Sequence, residues 1–261
     1  MMQNDFGLIS IIMAAYNAEK TIKQAINSVL SQTYTNFELL VVNDCSKDRT
    51  AELVKRIAAT DRRVRLISNV KNSGVSYTRK HGLEEANGSW IAILDSDDAW
   101  APEKLEKQIE LQDRTNAELL FTGSAFMDSE GHPIDWYLHA PKEVTYRQLL
   151  KQNVLSNSSA LVRKELYAKH YAIGDGMHED FAIWLSILKE GKKAYGVDEP
   201  LLIYRIAKSS KSGNKVKAAK MNWNTYRYIG LNPIEATYYE GWYMIKNVIK
   251  YTNLKISGGY K

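Results

Sequence analysis

Asp95-Ser96-Asp97 is the part of this sequence best suited to chemistry. It follows the apolar run Trp90 to Leu94, and the alternation of side chains along an extended chain puts Asp95 and Asp97 on one side. Two carboxylates so placed can share one hard divalent cation, Mg2+ or Mn2+, which prefers carboxylate and phosphate oxygens. Such an ion stabilises the charge that builds on a departing diphosphate. The bare tripeptide also fits an acidic surface turn, but its place at the end of an apolar strand favours the chemical reading.

Three further groups stand at similar positions. Tyr16 follows the first apolar run and Asp44 the second. A tyrosine face can stack on a nucleobase, and a carboxylate can accept an imide N–H. Asp44 serves equally well as a turn-former or helix cap. Asn72-Ser73-Gly74 precedes a helix carrying Arg79, which can meet a phosphate or pair with an acidic loop. His178-Glu179-Asp180 opens another helix. Carboxylates are favoured there by the helix dipole whatever their function, while Asp180 is also placed to act as a general base.

The elements that position these groups alternate. Apolar runs at Leu8–Met13, Phe37–Val42, Val64–Ile67 and Trp90–Leu94 read as strands, and Glu19–Ser31, Asp48–Ala59 and Val75–Asn87 as helices, the last stopped by Gly88. Strands alternating with helices of this length imply right-handed βαβ units and a mainly parallel sheet. Ligands of such sheets bind beyond the carboxyl ends of the strands, where Ala14–Asn17, Asn43–Ser46 and Asp95–Asp98 fall. No Gly-rich phosphate loop accompanies them, so a carboxylate-held metal is the natural neutraliser of phosphate. Further on, Pro102–Arg114 and His178–Lys189 read as helices, and Ala117–Met127, Ser158–Val162, Ala194–Val197 and Leu201–Tyr204 as strands. Ser129–Lys142, with Gly131, Pro133 and Pro141, reads as a loop. Ser209–Asn214 reads as a polar linker, followed by helices Lys215–Ile229 and Ile234–Thr252.

The single cysteine, Cys45, excludes a disulfide framework within the monomer and suits a reducing, cytoplasmic setting. No run approaches the roughly 20 apolar residues of a membrane span, and the N-terminal residues lack the basic region of a signal peptide. The net charge of +5 divides unevenly: residues 206–261 hold ten Lys or Arg and two Glu, a net of +8, which leaves −3 for residues 1–205. A basic tail suits an anionic partner such as a phospholipid surface or a phosphorylated acceptor, or is simply a solvated helical extension.

Taken in order, Ser10–Asn17, Ser28–Tyr34, Phe37–Asp44, Asn72–Gly74, Arg79, Gly88–Asp98, Lys104–Gln108 and Glu179-Asp180 resemble the family 2 glycosyltransferases of the GT-A fold over residues 8 to about 206. The resemblance implies an α/β GT-A catalytic domain at 1–206, with a nucleotide-sugar half to about residue 100 and an acceptor half beyond it. A basic helical extension follows at 207–261. It implies inverting transfer from a nucleotide-diphosphate sugar, UDP-linked by preference, to a hydroxyl of a glycan or lipid-linked acceptor in bacterial surface-polysaccharide assembly. Mn2+ or Mg2+ is the implied cofactor, and nucleic acid is not an expected partner. Ala14, Tyr16, Asp44, Asn72, Arg79, Asp95 and Ser96 become donor contacts, Asp95 and Asp97 metal ligands, and Asp180 the catalytic base. Two departures occur: Ala14-Ala15 where the family often has Pro-Thr or Pro-Ser, and Cys45 where it often has glycine. A non-catalytic nucleotide-sugar-binding relative is the second reading, against which the intact acids argue. A nucleotidyltransferase would need a Gly-rich, lysine-containing loop after the first strand, which Ala14–Lys20 does not supply.

In the last helix Tyr238, Gly241, Trp242, Ile245, Val248, Ile249 and Thr252 share one arc, with Lys246 and Lys250 to one side and Tyr239 and Tyr243 beside them. That face fits a membrane interface, and fits equally the catalytic domain or a second subunit. The expected location is the cytoplasm, at the inner face of the plasma membrane.

Overall fold

The structure, a computed structural model, describes residues 6–174, 176–206 and 215–256, with side chains throughout except at 215 and 247–256. The linker expected at Ser209–Asn214 lies outside these residues, as do the side chains of Val248, Ile249, Lys250 and Thr252.

The first part of the chain runs β1 (Ile9–Ala15), α1 (Ile22–Leu30), β2 (Phe37–Asn43), α2 (Thr50–Ala58), β3 (Val64–Ser68), α3 (Val75–Glu84) and β4 (Trp90–Ile93). There follow β5 (Ala99–Trp100), α4 (Lys104–Thr115), β6 (Leu119–Met127), β7 (Pro133–Leu138), β8 (Glu143–Val144), α5 (Tyr146–Lys151), β9 (Leu161–Arg163), α6 (Lys164–Lys169), α7 (Glu179–Lys189) and β10 (Ala194–Arg205). The tail is α8 (Lys215–Tyr228) and α9 (Pro233–Ile256).

The strands form one sheet in the order β3-β2-β1-β4-β9-β6-β10-β5, with β7 on β6 and β8 on β10. Along that path only β9 and β5 run against the rest among the described residues. This is the mainly parallel α/β sheet that the alternation predicts. Both faces are covered, which explains the continuous apolar runs. Ile9, Ile11 and Met13 pack with Ile22, Ile26 and Val29 of α1, whereas Ile12 joins Leu83 and Ile93 on the opposite side. Gly82 lets α3 seat closely on the sheet, since a Cβ there would lie 2.7 Å from Ile12 Cγ2.

Several expectations need correction. α3 ends at Glu84, and Gly88 is no helix stop: a Cβ there would stand 2.5 Å from the Leu8 carbonyl oxygen. The expected loop at Ser129–Lys142 contains β7, because Pro133 begins the strand, where proline's missing N–H is tolerated, and Trp136 packs on Phe126 at 4.4 Å. Ala194–Val197 and Leu201–Tyr204 form one strand, β10, with an irregularity between Val197 and Leu202 that accommodates Pro200. The strand expected from Ser158 starts at Leu161, since Asn157–Ser159 form a 3-10 turn.

In the tail, Tyr239 and Tyr243 pack against the core and Ala236 is buried. Tyr238, Trp242 and Ile245 are exposed. The described part of the apolar arc is therefore largely solvent-facing, with Trp242 touching the rest of the molecule through Lys151, whose Nζ lies 5.6 Å from its ring. No described helix is long and apolar enough to cross a membrane.

Candidate active site

The sheet delivers its polar groups to one edge, in two sets. The first lies beyond β1, β2 and β3. Ala14 is half-buried within β1, opposite Val42, and Tyr16 just past its end is half exposed. The loops after β1 and β2 hold each other: Asn17 N–H donates to Ser46 Oγ at 3.0 Å, and Lys47 N–H donates to Asn17 Oδ1 at 2.8 Å. Asn17 and Cys45 adopt left-handed backbone angles, φ 50° and 57°.

Asp44 is buried. Its Oδ1 accepts from Asn69 Nδ2 at 2.7 Å and Ser73 N–H at 2.8 Å, and its Oδ2 accepts from Gly74 N–H at 2.9 Å. Asn72 Nδ2 donates to the Asp44 carbonyl at 3.1 Å. Asp44 thus shapes the turn ahead of α3. It does not cap α2, whose start is tied by Asp48 Oδ1 accepting from Thr50 N–H at 3.0 Å. A carboxylate offers about four lone-pair sites, so Asp44 keeps capacity for one more donor. A surface depression lined by Lys71, Asn72, Ser73, Gly74 and Tyr77 opens beside it.

The second set gathers around Arg79, which is reached through α3. Asn69 Nδ2 also donates to Thr78 Oγ1 at 2.9 Å, and the next residue is Arg79. This buried guanidinium donates to Asp95 Oδ1 and to Glu179 Oε1, each at 2.5 Å. Burial alone would weaken its charge, but the two carboxylates hold it above the ordinary arginine range. Of the two roles open to Arg79, pairing with the acidic loops is the one this structure displays.

The Asp95–Asp98 turn is fixed largely through its main chain. Asp98 N–H donates to the Asp95 carbonyl at 3.1 Å, and Asp95 N–H donates to Ser158 Oγ at 3.1 Å. Ser158 is itself held, since its carbonyl accepts from Trp100 Nε1 at 2.7 Å. The neighbouring Ser159 carbonyl accepts from Gln108 Nε2 at 3.0 Å. Lys104, fully buried, donates to Gln108 Oε1 at 2.8 Å and lies 4.0 Å above the Trp100 ring. From the other side Arg205 donates through Nε to the Asp97 carbonyl at 2.8 Å and through its N–H to Asp98 Oδ1 at 2.9 Å. Its remaining donors reach the carbonyls of Asp128 and Ser129, at 3.2 and 3.3 Å, and Gln24 Oε1, at 2.5 Å. The sequence pattern singles out neither Ser158 nor Arg205 as a site residue. For Arg205 the available signal was its place as the last residue of an apolar strand.

Within this turn Ser96 is half-buried, and the half-buried Asp97 is raised above the usual carboxylate range, first by burial and then by the charge of Asp95. Asp98 is raised further for the same reasons, with Asp97 adding to the repulsion. No cation pairs directly with the Asp97 carboxylate among the described residues. Crowded carboxylates of this kind fit a divalent cation. No cluster of three or more His, Cys, Asp or Glu side chains could hold one alone among those residues. The remaining ligands of an ion on Asp95 and Asp97 would have to be water or phosphate oxygens, the usual habit of Mg2+.

Asp180 stands in the first turn of α7, next to Glu179. Burial, and then the Glu179 charge, push its carboxyl up to about 6, against the opposing influence of Arg79 and His178. That value suits a general base near neutral pH. The Arg79 bridge therefore joins the acidic turn after β4 to the helix that carries Asp180.

A model of the family described as Glycosyl transferase family 2 matches residues 10–170. The chain belongs to that family. A Bacillus subtilis glycosyltransferase assigned to teichuronic acid biosynthesis, TuaG, is 37% identical, covering 87% of this chain and 90% of its own. The Escherichia coli UDP-Glc:alpha-D-GlcNAc-diphosphoundecaprenol beta-1,3-glucosyltransferase WfgD is 35% identical, covering 94% and 95%. Among solved structures, the Pyrobaculum calidifontis mannosyltransferase PcManGT, in complex with GDP-Man and Mn2+, aligns with a TM-score of 0.68. It is 16% identical, with 90% of this chain and 68% of that chain covered, and shows the shared fold. The family match spans Tyr16, Asp44, Arg79 and Asp95–Asp97 of this glycosyltransferase but stops before Glu179 and Arg205. The WfgD alignment is long enough, at 245 residues, to include both.

Proposed function

We propose that this glycosyltransferase is a metal-dependent, inverting enzyme. It moves a sugar from a UDP-sugar, or another nucleotide-diphosphate sugar, to a hydroxyl of a lipid-linked glycan in bacterial surface-polysaccharide assembly. The observation that carries this reading is the Arg79 bridge between Asp95 and Glu179, which ties the acidic turn to a base raised to about 6. Tyr16 stacks on the nucleobase, and Asp44 accepts the base N–H through its remaining lone pair. Ala14, Asn72 and Ser96 line the nucleotide, with Arg79 keeping Asp95 oriented toward it. Asp95 and Asp97 would hold Mn2+ or Mg2+, which when bound neutralises charge developing on the nucleoside diphosphate. Asp180 takes the proton of the acceptor hydroxyl as its oxygen bonds to the anomeric carbon. The bond from that carbon to the diphosphate breaks, and the configuration inverts.

Residues 1–206 form the catalytic unit in this reading, and 207–261 an extension. Ile234, Tyr238, Trp242 and Ile245 line the exposed side of α9, with Lys246 nearby. An aromatic and aliphatic line flanked by lysine suits the headgroup boundary of an anionic bilayer, where a lipid-linked acceptor would be met, and supports a site of action at the inner membrane face.

The test is a screen of UDP- and GDP-sugars for Mn2+-dependent nucleotide release, alongside Asp97→Ala and Asp180→Asn proteins. Release abolished by both substitutions is expected. Tight nucleotide binding without release, even with a lipid-linked acceptor present, would overturn the catalytic reading.

A further inference from the structure

The helix carrying Asp180 is gripped from a second side, by the tail. Thr225 of α8 is fully buried. Its hydroxyl proton goes to the Met221 carbonyl at 2.9 Å, which leaves a lone pair of Oγ1 to accept His178 N–H at 3.0 Å. The adjacent Asn224 donates through Nδ2 to the Gly176 carbonyl at 2.8 Å. Both bonds fall on the main chain just ahead of the first turn of α7. One residue past Asp180, the buried Phe181 meets Tyr226 of α8 edge to face, at 5.8 Å and 71°, and Tyr243 of α9 at 5.9 Å. Tyr226 is anchored in turn through its hydroxyl, which donates to the Leu150 carbonyl at 2.7 Å. At the far end of α7, Lys189 Nζ donates to the Ile229 carbonyl at 2.7 Å, beyond α8.

We propose that α8 is a working part of the active site, with Thr225 and Asn224 as positioning residues that fix the entry of α7 and so the direction of the Asp180 carboxylate. Glu179 is held by Arg79 on the sheet side, and the residues around it by α8 on the other. Neither grip alone fixes both the position and the rotation of a first helical turn. The nucleotide-facing groups hang from β1, β2 and β4, on the opposite side of Arg79. Loosening α8 therefore affects the proton-transfer step and spares donor binding. This inference rests on Asp180 being the base.

Thr225→Val removes the acceptor for His178 N–H at nearly constant volume, Thr225→Ser keeps it, and Asn224→Ala removes the second tie at a partly exposed position. For folded Thr225→Val we expect kcat to fall about tenfold or more, since small misplacements of a reacting group are costly. The donor KM should stay within about twofold, because uniform donor binding is untouched. The acid limb of the pH profile should move to lower pH as water reaches Asp180, Thr225→Ser should restore both parameters, and Asn224→Ala should show a smaller loss of the same kind. Wild-type kcat and pH profile in Thr225→Val, with Asp180→Asn inactive, would overturn the positioning role. Equal losses in the Val and Ser variants, accompanied by lowered melting temperatures, would also overturn it and leave α8 a support for the fold. An active Asp180→Asn would instead remove the base assignment, and this inference with it.

Discussion

Arg79 and Arg205 are both buried and both grip the turn that carries Asp95 and Asp97, but by opposite means. Arg79 spends its charge on two carboxylates that come from distant segments. The Arg205 side chain donates to main-chain carbonyls and one glutamine amide, and forms no carboxylate ion pair among the described residues. The first sets charge and joins two halves of the site. The second sets shape, and leaves its positive field to act on the nearby Asp97, which it partly stabilises as an anion. Two identical side chains can therefore serve as a coupler and as a brace, depending only on what accepts their hydrogen bonds.

The contrast predicts unequal consequences. Arg79→Met strands Asp95 and Glu179 without their cation, and should destabilise by about 3–5 kcal/mol, the range for breaking a buried ion pair. Urea denaturation measures this, and a loss below 1 kcal/mol would mean that the bridge is dispensable. Arg205→Gln loses several hydrogen bonds to groups that remain buried, and should cost about 1–3 kcal/mol. Arg205→Lys, which keeps the charge but not the planar fork, should be nearly as unstable. If Lys rescues fully, charge rather than bracing is what Arg205 supplies.

A smaller effect separates the two in a pH–rate profile. If Asp180 is the base, as proposed above, transfer needs it deprotonated, and activity should fall as pH drops through about 6. The positive charge of Arg79 favours the Asp180 anion, and removing it should move that midpoint to higher pH. Arg205→Gln should move the midpoint much less, since Arg205 is not among the principal groups acting on Asp180. The smallest effect belongs to an arginine with no burial: Arg56→Ala, breaking the exposed pair with Glu52, should change stability by about 0.5 kcal/mol or less.

What could be read in advance divides along the same line. The acids at strand ends, the βαβ alternation and the pairing capacity of Arg79 are local properties, visible as period and position. The bracing network is not local. Arg205 meets Gln24 across 181 residues, and Arg79 meets Glu179 across 100, and no pattern along the chain announces either partner. β7 was hidden by Gly131 and Pro133, whose usual meaning is a turn. The tail misleads for a different reason. Glu240 enters the sequence reading only as part of the tail's net charge, yet it is buried and its Oε2 accepts from the buried Asn222. The side of α9 that packs is therefore polar and aromatic, while the more apolar arc is outside.

The place of β9 in the sheet bears on how the chain is made. β4 pairs with β1 on one edge and, antiparallel, with β9 on the other. Its first partner precedes it, but its second emerges about seventy residues later. At 5–20 residues per second, a ribosome leaves that hydrophobic edge unpaired for roughly 4–14 s. An open edge of this kind is a template for wrong pairing, so the nascent chain passes through an interval in which a wholly apolar strand, already docked on one side, waits for a short segment to close the other.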